Sequence, residues 1–317
     1  MKIVIPGGGG HLGRVLAPAL AASGHEVVVL SRGGHGAGAR VVAWDGRTLG
    51  PWTSEIDGAD AVVNLAGRSV DCRYTAANLK QMMDSRVDST RVVGQAIAAA
   101  SRPPRVWLQS STATIYAHRF DAANDETTGV IGGSEPGVPA YWRSSIEIAT
   151  AWERTLGEAA TPATRRVAMR TSIVMTSARG GAFAAFRMLA RLRLGGALAG
   201  GRQYVSWIHE RDFVRAVEWL LARDDLDGAV NVAAPEPLPQ RDFARVLREA
   251  CGVRIGLPAA AWMLEAGAFA LRTETELLLK SRRVVPARLL ASGFGFAFRA
   301  WPEAARDLLL RFPSDAP

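Results

Sequence analysis

The stretch Gly7-Gly8-Gly9-Gly10-His11-Leu12-Gly13 follows directly on Met1-Lys2-Ile3-Val4-Ile5-Pro6. The apolar, β-branched run before it reads as a buried strand, and Arg14 to Ala22 reads as a helix. The glycines therefore occupy a strand-to-helix turn. Spaced as Gly7-x-x-Gly10-x-x-Gly13, they allow a tight turn, close approach of the backbone to a pyrophosphate, and close packing of helix on strand. The helix N-terminus, with His11 and Leu12 in its first turn, adds free N–H groups and a positive dipole end. Four glycines alone would be a flexible loop; in this position they predict a dinucleotide-binding unit.

Working outward, Glu26-Val27-Val28-Val29-Leu30 is a second strand, with Ser31 and Arg32 just beyond it. An acidic residue about 20 positions past the glycine turn holds the ribose hydroxyls of NAD, whereas an arginine accommodates the extra phosphate of NADP. Arg32 stands there, so NADP(H) is favoured over NAD(H). Arg40 to Asp45 reads as a third strand, whose terminal Asp45 either bonds an adenine amino group or opens a turn with Gly46. Asp60 to Gly67 is a fourth strand, closing on Leu65-Ala66-Gly67, small enough to let a cofactor lie against the backbone. Asn78 to Ala100 is a long amphipathic helix whose Met82 and Met83 belong to a core or a subunit contact. Arg105 to Gln109 makes a fifth strand, Val167 to Val174 a sixth and Gly228 to Ala233 a further one. This alternation predicts an α/β, Rossmann-like, doubly wound and mostly parallel sheet with a smaller, mainly helical C-terminal domain. Residues 1–178, with contributions from about 205–235, form the nucleotide-binding domain. Residues 179–204 and 236–317 form the substrate domain, with helices at Phe183 to Leu194, Gln240 to Ala250, Pro258 to Leu271 and around Ala304 to Leu310.

Composition narrows the partners. The 317 residues are 48% hydrophobic and 21% charged, an ordinary globular balance. The net charge of +8 comes from arginines scattered among acidic residues, without a basic run or a nucleic-acid motif, which argues against nucleic acid. A diffuse positive surface instead suits phosphorylated ligands. Two cysteines, Cys72 and Cys251, make neither a disulfide framework nor a zinc site, and no metal is expected. No apolar run reaches membrane-spanning length and the first strand begins at once, so no membrane partner and a cytoplasmic setting are expected.

After the fifth strand comes Ser110-Ser111-Thr112-Ala113-Thr114-Ile115-Tyr116-Ala117. This octet resembles the Ser-Ser-Ser/Thr-Ala-x-Val-Tyr-Gly segment of the extended short-chain dehydrogenase/reductases, which include nucleotide-sugar epimerases and dehydratases. Ala117 replaces the usual glycine. Trp207-Ile208-His209-Glu210-Arg211-Asp212-Phe213-Val214 resembles the aromatic-Ile-His-x-x-Asp segment of that superfamily. Gly201-Arg202-Gln203, Trp152-Glu153 and the ending Arg283-Val284-Val285-Pro286-Ala287-Arg288-Leu289-Leu290 with Gly293-Phe294 resemble its YfcH-like epimerase branch, which carries a small extra C-terminal domain. The resemblance covers nearly the whole chain. It implies that Thr112 bonds the reacting oxygen of a small-molecule substrate, that Ser110 stands at the cofactor edge, and that Ser172 and Ile173 form the nicotinamide-side loop.

It also implies a Tyr-x-x-x-Lys pair, tyrosine as proton carrier and lysine as its cation, which four-residue spacing puts on one helix face. The chain has none. Four residues past Tyr74, Tyr116, Tyr141 and Tyr204 stand Asn78, Phe120, Ser145 and Ile208. Tyr141, before the helix running to Trp152-Glu153, is the candidate acid/base, with Arg143 a substitute cation that a spacing of two turns away from it. If that helix begins later, Ser145 takes the tyrosine's place and Ala149 the lysine's, and standard proton transfer is lost. Glu147 and Glu153 are alternative acids. Gln203 and Trp207 are candidate pocket residues, Trp207 equally a core residue. Arg170 and His209 read as structural. The helices at 78–100 and 144–156 can pair across a two-fold axis in a homodimer. Two functions fit: an NADP(H)-dependent oxidoreductase or epimerase acting on a secondary alcohol or carbonyl, or a catalytically degenerate NADP(H) sensor.

Overall fold

The computed structural model describes residues 1–34, 38–271 and 274–313. Its centre is a seven-stranded sheet, parallel throughout: β1 (Lys2–Pro6), β2 (Glu26–Ser31), β3 (Arg40–Ala43), β4 (Ala61–Asn64), β5 (Val106–Thr112), β6 (Arg165–Thr171) and, later in the chain, Gly228–Val232. Chain order reverses between β1 and β4, giving the sequence β3-β2-β1-β4-β5-β6 followed by Gly228–Val232. A ligand crevice opens at such a reversal, beyond the carboxyl ends of the strands.

Alternation along the strands builds two cores. Ile3, Ile5, Val27, Val29, Val106 and Leu108 face one side, against Leu16 and Leu20 of α1 (His11–Ala22). Val4, Val28, Leu30, Val62 and Trp107 face the other, against Val92, Val93 and Ile97 of α2 (Ala76–Ala99) and Leu156 of α3 (Ala140–Gly157). Period-two alternation with both faces buried is what a doubly wound sheet demands. Thr75 starts α2, its hydroxyl accepting from the Asn78 N–H at 3.2 Å. α2 and α3 also pack on each other within one chain: the Trp152 indole donates to Thr90 Oγ1 at 3.0 Å.

The expected sixth strand is split. β6 ends at Thr171, where Ser172 donates both its N–H and its hydroxyl to the Val232 carbonyl. The chain then leaves the sheet as β7 (Ile173–Met175). Past α4 (Ala182–Arg191) and β8 (Tyr204–Val205), β7 pairs with β9 (Trp207–His209), which runs into α5 (Glu210–Ala222). Gly228–Val232 is then β10, followed by β11 (Leu238–Pro239), α6 (Gln240–Ala250), α7 (Ala261–Leu271), α8 (Glu276–Leu279), α9 (Ala287–Ala291) and α10 (Trp301–Arg311). The helical domain has its own aromatic core, in which Trp301 stacks on Phe243 at 4.2 Å and meets Trp207 at 5.0 Å.

The domain division needs one amendment: Leu289 of α9, Phe294 and Phe296 pack into the main core beside Phe213 and Leu220 of α5. The C-terminal segment thus returns to the nucleotide-binding domain before α10 packs into the helical one. Among the described residues, no helix is long and apolar enough to cross a membrane and no metal-binding cluster occurs.

Candidate active site

The nucleotide end of the crevice is a surface of bare backbone. Gly7 has φ +75°, and a Cβ there would lie 2.6 Å from Ala66 Cα. A Cβ on Gly13 would collide with the Gly8 backbone, so α1 lies on its strand closer than any side chain permits. Gly10 caps α1 without a side-chain acceptor, while the Arg14 N–H already bonds the Gly10 carbonyl. The N–H groups of His11, Leu12 and Gly13 come before the first intrahelical donor, Arg14, and are open to an anion. This cradle fits a dinucleotide pyrophosphate. The His11 ring turns aside, its Nε2 2.9 Å from Thr176 Oγ1; burial and then the Arg14 charge hold it below the usual imidazole range.

Leu65 donates its N–H to the Pro6 carbonyl, Ala66 donates to Asn64 Oδ1, and Gly67 lies exposed just beyond. Ser31 is buried, with its hydroxyl accepting from the Gly33 N–H, whereas Arg32 is exposed past the end of β2. Asp45 closes a local turn. Its carboxylate accepts from the Arg47 and Thr48 N–H groups and the Thr48 hydroxyl, bonds that hold it at about 2. Of its two readings the structure displays the turn.

At the other end lies a cavity of about 150 Å³ beyond β5 and β6. Thr112, Ser172, Ile173, Ser145 and Ala149 line it together, and Ser110 is half-buried on the same strand end as Thr112. The Thr112 Oγ1 accepts from the Thr114 N–H at 3.1 Å, which leaves its own proton to donate into the cavity. α3 starts at Ala140, so Tyr141 is already helical, one turn ahead of Ser145. Tyr141 is outside the cavity lining, and its phenol pairs with Thr275 Oγ1 at 2.9 Å. Ser145 and Ala149 hold the positions, four apart on one helix face, that the resemblance reserves for tyrosine and lysine.

Four other candidates are corrected by placement. Arg143 is exposed and does not line the cavity. Gln203 is buried, its amide donating to the Leu198 and Leu278 carbonyls as a strut between segments. Trp207 is fully buried in the aromatic core, where area and shape put it rather than a ligand. Glu153, offered as an acid, is paired twice with Arg170 and also accepts from the Ser111 hydroxyl. Arg170 reaches on to the Tyr116 phenol, which donates to Asn231 Oδ1; this buried network ties α3, β5, β6 and β10 together. Arg170 is structural, as expected. So is His209: Nδ1 accepts from the Arg211 N–H, and Nε2 carries the proton toward Asp307 Oδ2 at 3.0 Å.

The cavity also contains residues that the sequence did not single out: Tyr74, Arg86, Glu276, Leu277 and Arg282. Three come from the C-terminal segment, about two hundred residues from Tyr74 in the chain. Glu276 Oε2 accepts from the Ser145 hydroxyl at 2.6 Å, and Glu276 Oε1 lies 3.7 Å from Lys280 Nζ and 3.9 Å from Arg282 Nη2. Neither Glu276 Oε1 nor Arg282 Nη2 has a hydrogen-bond partner among the described residues, a gap that a bridging polar group can fill. Lys280 Nζ donates to the Thr114 carbonyl at 2.8 Å and so holds the turn that follows Thr112; burial, then Arg282, pull the ammonium down to about 8. A signal was available in composition, since the chain has only three lysines and one falls in this segment.

With this geometry in place, comparison with known proteins is informative. Residues 3–233 match the NAD dependent epimerase/dehydratase family, and residues 259–308 match a domain of unknown function, DUF1731. The chain belongs to the NAD dependent epimerase/dehydratase family, in its extended short-chain dehydrogenase/reductase form. Epimerase family protein SDR39U1 of Bos taurus is 32% identical, over 98% of this chain and all of its own length. Epimerase family protein YfhF of Bacillus subtilis is 26% identical over 94% of each. The crystal structure of human SDR39U1 (isoform 2) with NADPH superposes with a TM-score of 0.83 at 28% identity, covering 97% of this chain and 99% of that one. The enzyme WbmG of Bordetella bronchiseptica, solved with NAD, shares the fold alone, with a TM-score of 0.73 at 18% identity over 98% of this chain and 94% of that one.

Proposed function

We propose that the protein is an NADP(H)-dependent oxidoreductase or epimerase that acts on a small substrate bearing a secondary alcohol or carbonyl. The observation that carries this reading is the joining of a glycine cradle, which only bare backbone can form, to a cavity presenting the Thr112 hydroxyl beside Ser172 and Ile173. A nicotinamide bound along the crevice supplies or accepts hydride. Gly7, Gly10, His11, Leu12 and Gly13 hold its pyrophosphate, Leu65 to Gly67 bear on its middle, and Thr112 orients the substrate oxygen by hydrogen bonding. Arg32, exposed past β2, is suited to an adenosine phosphate, and the NADPH bound to human SDR39U1 supports that choice.

Fluorescence titration with NADPH and NADH, beside an Arg32→Ala variant, tests the cofactor assignment. Loss of the phosphate contact should weaken NADPH by about tenfold, or 1.4 kcal/mol, and leave NADH unchanged. Equal loss for both nucleotides would remove Arg32 from cofactor choice. The sensor reading has its own support, because Ser145 and Ala149 stand where tyrosine and lysine are expected. Turnover of bound NADPH with a panel of carbonyl compounds, abolished by Thr112→Ala, would exclude a pure sensor.

A further inference from the structure

A reductase needs a proton for the reacting oxygen and a cation to steady the group that gives it. α3 offers neither, since Ser145 and Ala149 fill the two relevant positions. The same cavity is also lined by Tyr74, just before α2, and by Arg86 within it. Tyr74 shares this lining with Ser145, the place on α3 where a tyrosine would otherwise stand. Arg86 lies over the Trp152 indole, 5.0 Å from the ring centroid and three residues beyond Ala149. The small side chain at 149 leaves room for a cation arriving from α2.

We infer that Tyr74 is the proton donor to the substrate oxygen and that Arg86 supplies the fixed positive charge in the same cavity, an acid–cation pair moved from α3 to the start of α2. This rests on the oxidoreductase reading above and adds the identity of its acid.

Arg86 is built to stay in place. Its Nη1 donates to the Met82 carbonyl at 3.1 Å, Trp152 supports its face, and a Cβ on Gly67 would lie 3.4 Å from its Cζ. It thus sits against the backbone that closes β4 at the cofactor edge. Among the described residues it forms no ion pair with a carboxylate, and the titratable groups acting on it are Tyr74 and Cys72. Burial pulls it down to about 10, still a cation at neutral pH. Tyr74 is held by its N–H bond to Glu274 Oε1 at 2.8 Å and by edge-on contact with Tyr141, whose role becomes positioning. Burial, then the Glu276 charge, keep the Tyr74 phenol protonated above its ordinary range, while Arg282 acts in the other direction and Cys72 in the same one. In reduction, the carbonyl carbon gains two electrons as hydride from the nicotinamide, and the C=O π pair moves onto oxygen. That oxygen takes the Tyr74 Oη proton. The phenolate faces Arg86 and regains a proton from water.

The test pairs a binding-independent readout with turnover. The protein is made with difluorotyrosine, whose phenol ionises where the fold is intact, and followed by fluorine NMR against pH. Tyr74→Phe assigns one of the four tyrosine signals. Arg86→Gln should shift the midpoint of that signal to higher pH, and Arg86→Lys should restore it; an unmoved midpoint overturns the pair. Tyr74→Phe should keep NADPH affinity and lose diacetyl reduction by about 10²- to 10⁴-fold. Reduction at the parental rate overturns the donor role. Failure of the parent protein to bind NADPH would sink the oxidoreductase reading instead, and the fluorine titration would still decide whether Arg86 acts on Tyr74.

Discussion

The two ends of the crevice are built by opposite strategies. The nucleotide end comes from one contiguous piece of chain, β1 through α1, and functions by what it lacks: no Cβ at Gly7, Gly10 or Gly13, and no acceptor for the first helical N–H groups. The cavity end is assembled from five distant segments, namely those of Tyr74 and Arg86, of Thr112, of Ser145, of Ser172 and Ile173, and the stretch from Glu276 to Arg282. A backbone site is legible wherever its turn can be read. A side-chain site becomes visible only when the chain has folded onto itself.

That contrast can be broken, and the largest expected effect is at the backbone end. Gly13→Ala puts a methyl into the Gly8 carbonyl and pries α1 from β1, costing about 3 kcal/mol by overpacking. Thermal unfolding should show the loss, and NADPH titration should show no measurable binding; normal binding would mean the close approach is dispensable. Trp207→Ala should cost about 4 kcal/mol by emptying the aromatic core, yet leave NADPH affinity intact once folded. If denaturant unfolding is unchanged while substrate KM rises, Trp207 faces the pocket after all.

A pH experiment then probes the seam between the domains. The unfolded chain protonates His209 near 6.5, whereas the native ring is pulled down to about 4, first by burial and then by Arg311. Between these values the unfolded state binds more protons. Stability present above pH 6.5 is therefore lost as pH falls through 4, by about 3 kcal/mol in all. His209→Gln should flatten urea midpoints measured across that window; an unaltered slope would assign acid sensitivity to other groups. The smallest effect belongs to Asp45→Ala, which should loosen an exposed turn and leave NADPH affinity unchanged. Weakening by about tenfold would restore the adenine contact.

Much of the fold was readable because its signals are local. Alternating apolar strands, the helices at Gln240 to Ala250 and around Ala304 to Leu310, and the glycine turn all lie where periodicity puts them. The departure at Ser172 was not readable. Val167 to Val174 reads as one strand with no Gly or Pro to break it, and the Val232 carbonyl, brought alongside by β10, binds Ser172 where the strand breaks. α9 likewise carries an ordinary helical pattern; that Leu289 belongs to the main core depends on where the chain returns.

The site divides along the same line. Sequence by itself determined the α/β class, the glycine turn from Gly7 to Gly13 and the absence of Tyr-x-x-x-Lys, since each depends on residues near one another in the chain. Tertiary structure alone decided that Tyr141 turns toward Thr275, that Gln203 and Trp207 are structural, and that Arg86 and Tyr74 share a cavity with Ser145 and Glu276. The physical reason is distance along the chain: backbone conformation answers to neighbours a few residues away, whereas a buried charge answers to whatever the fold packs against it.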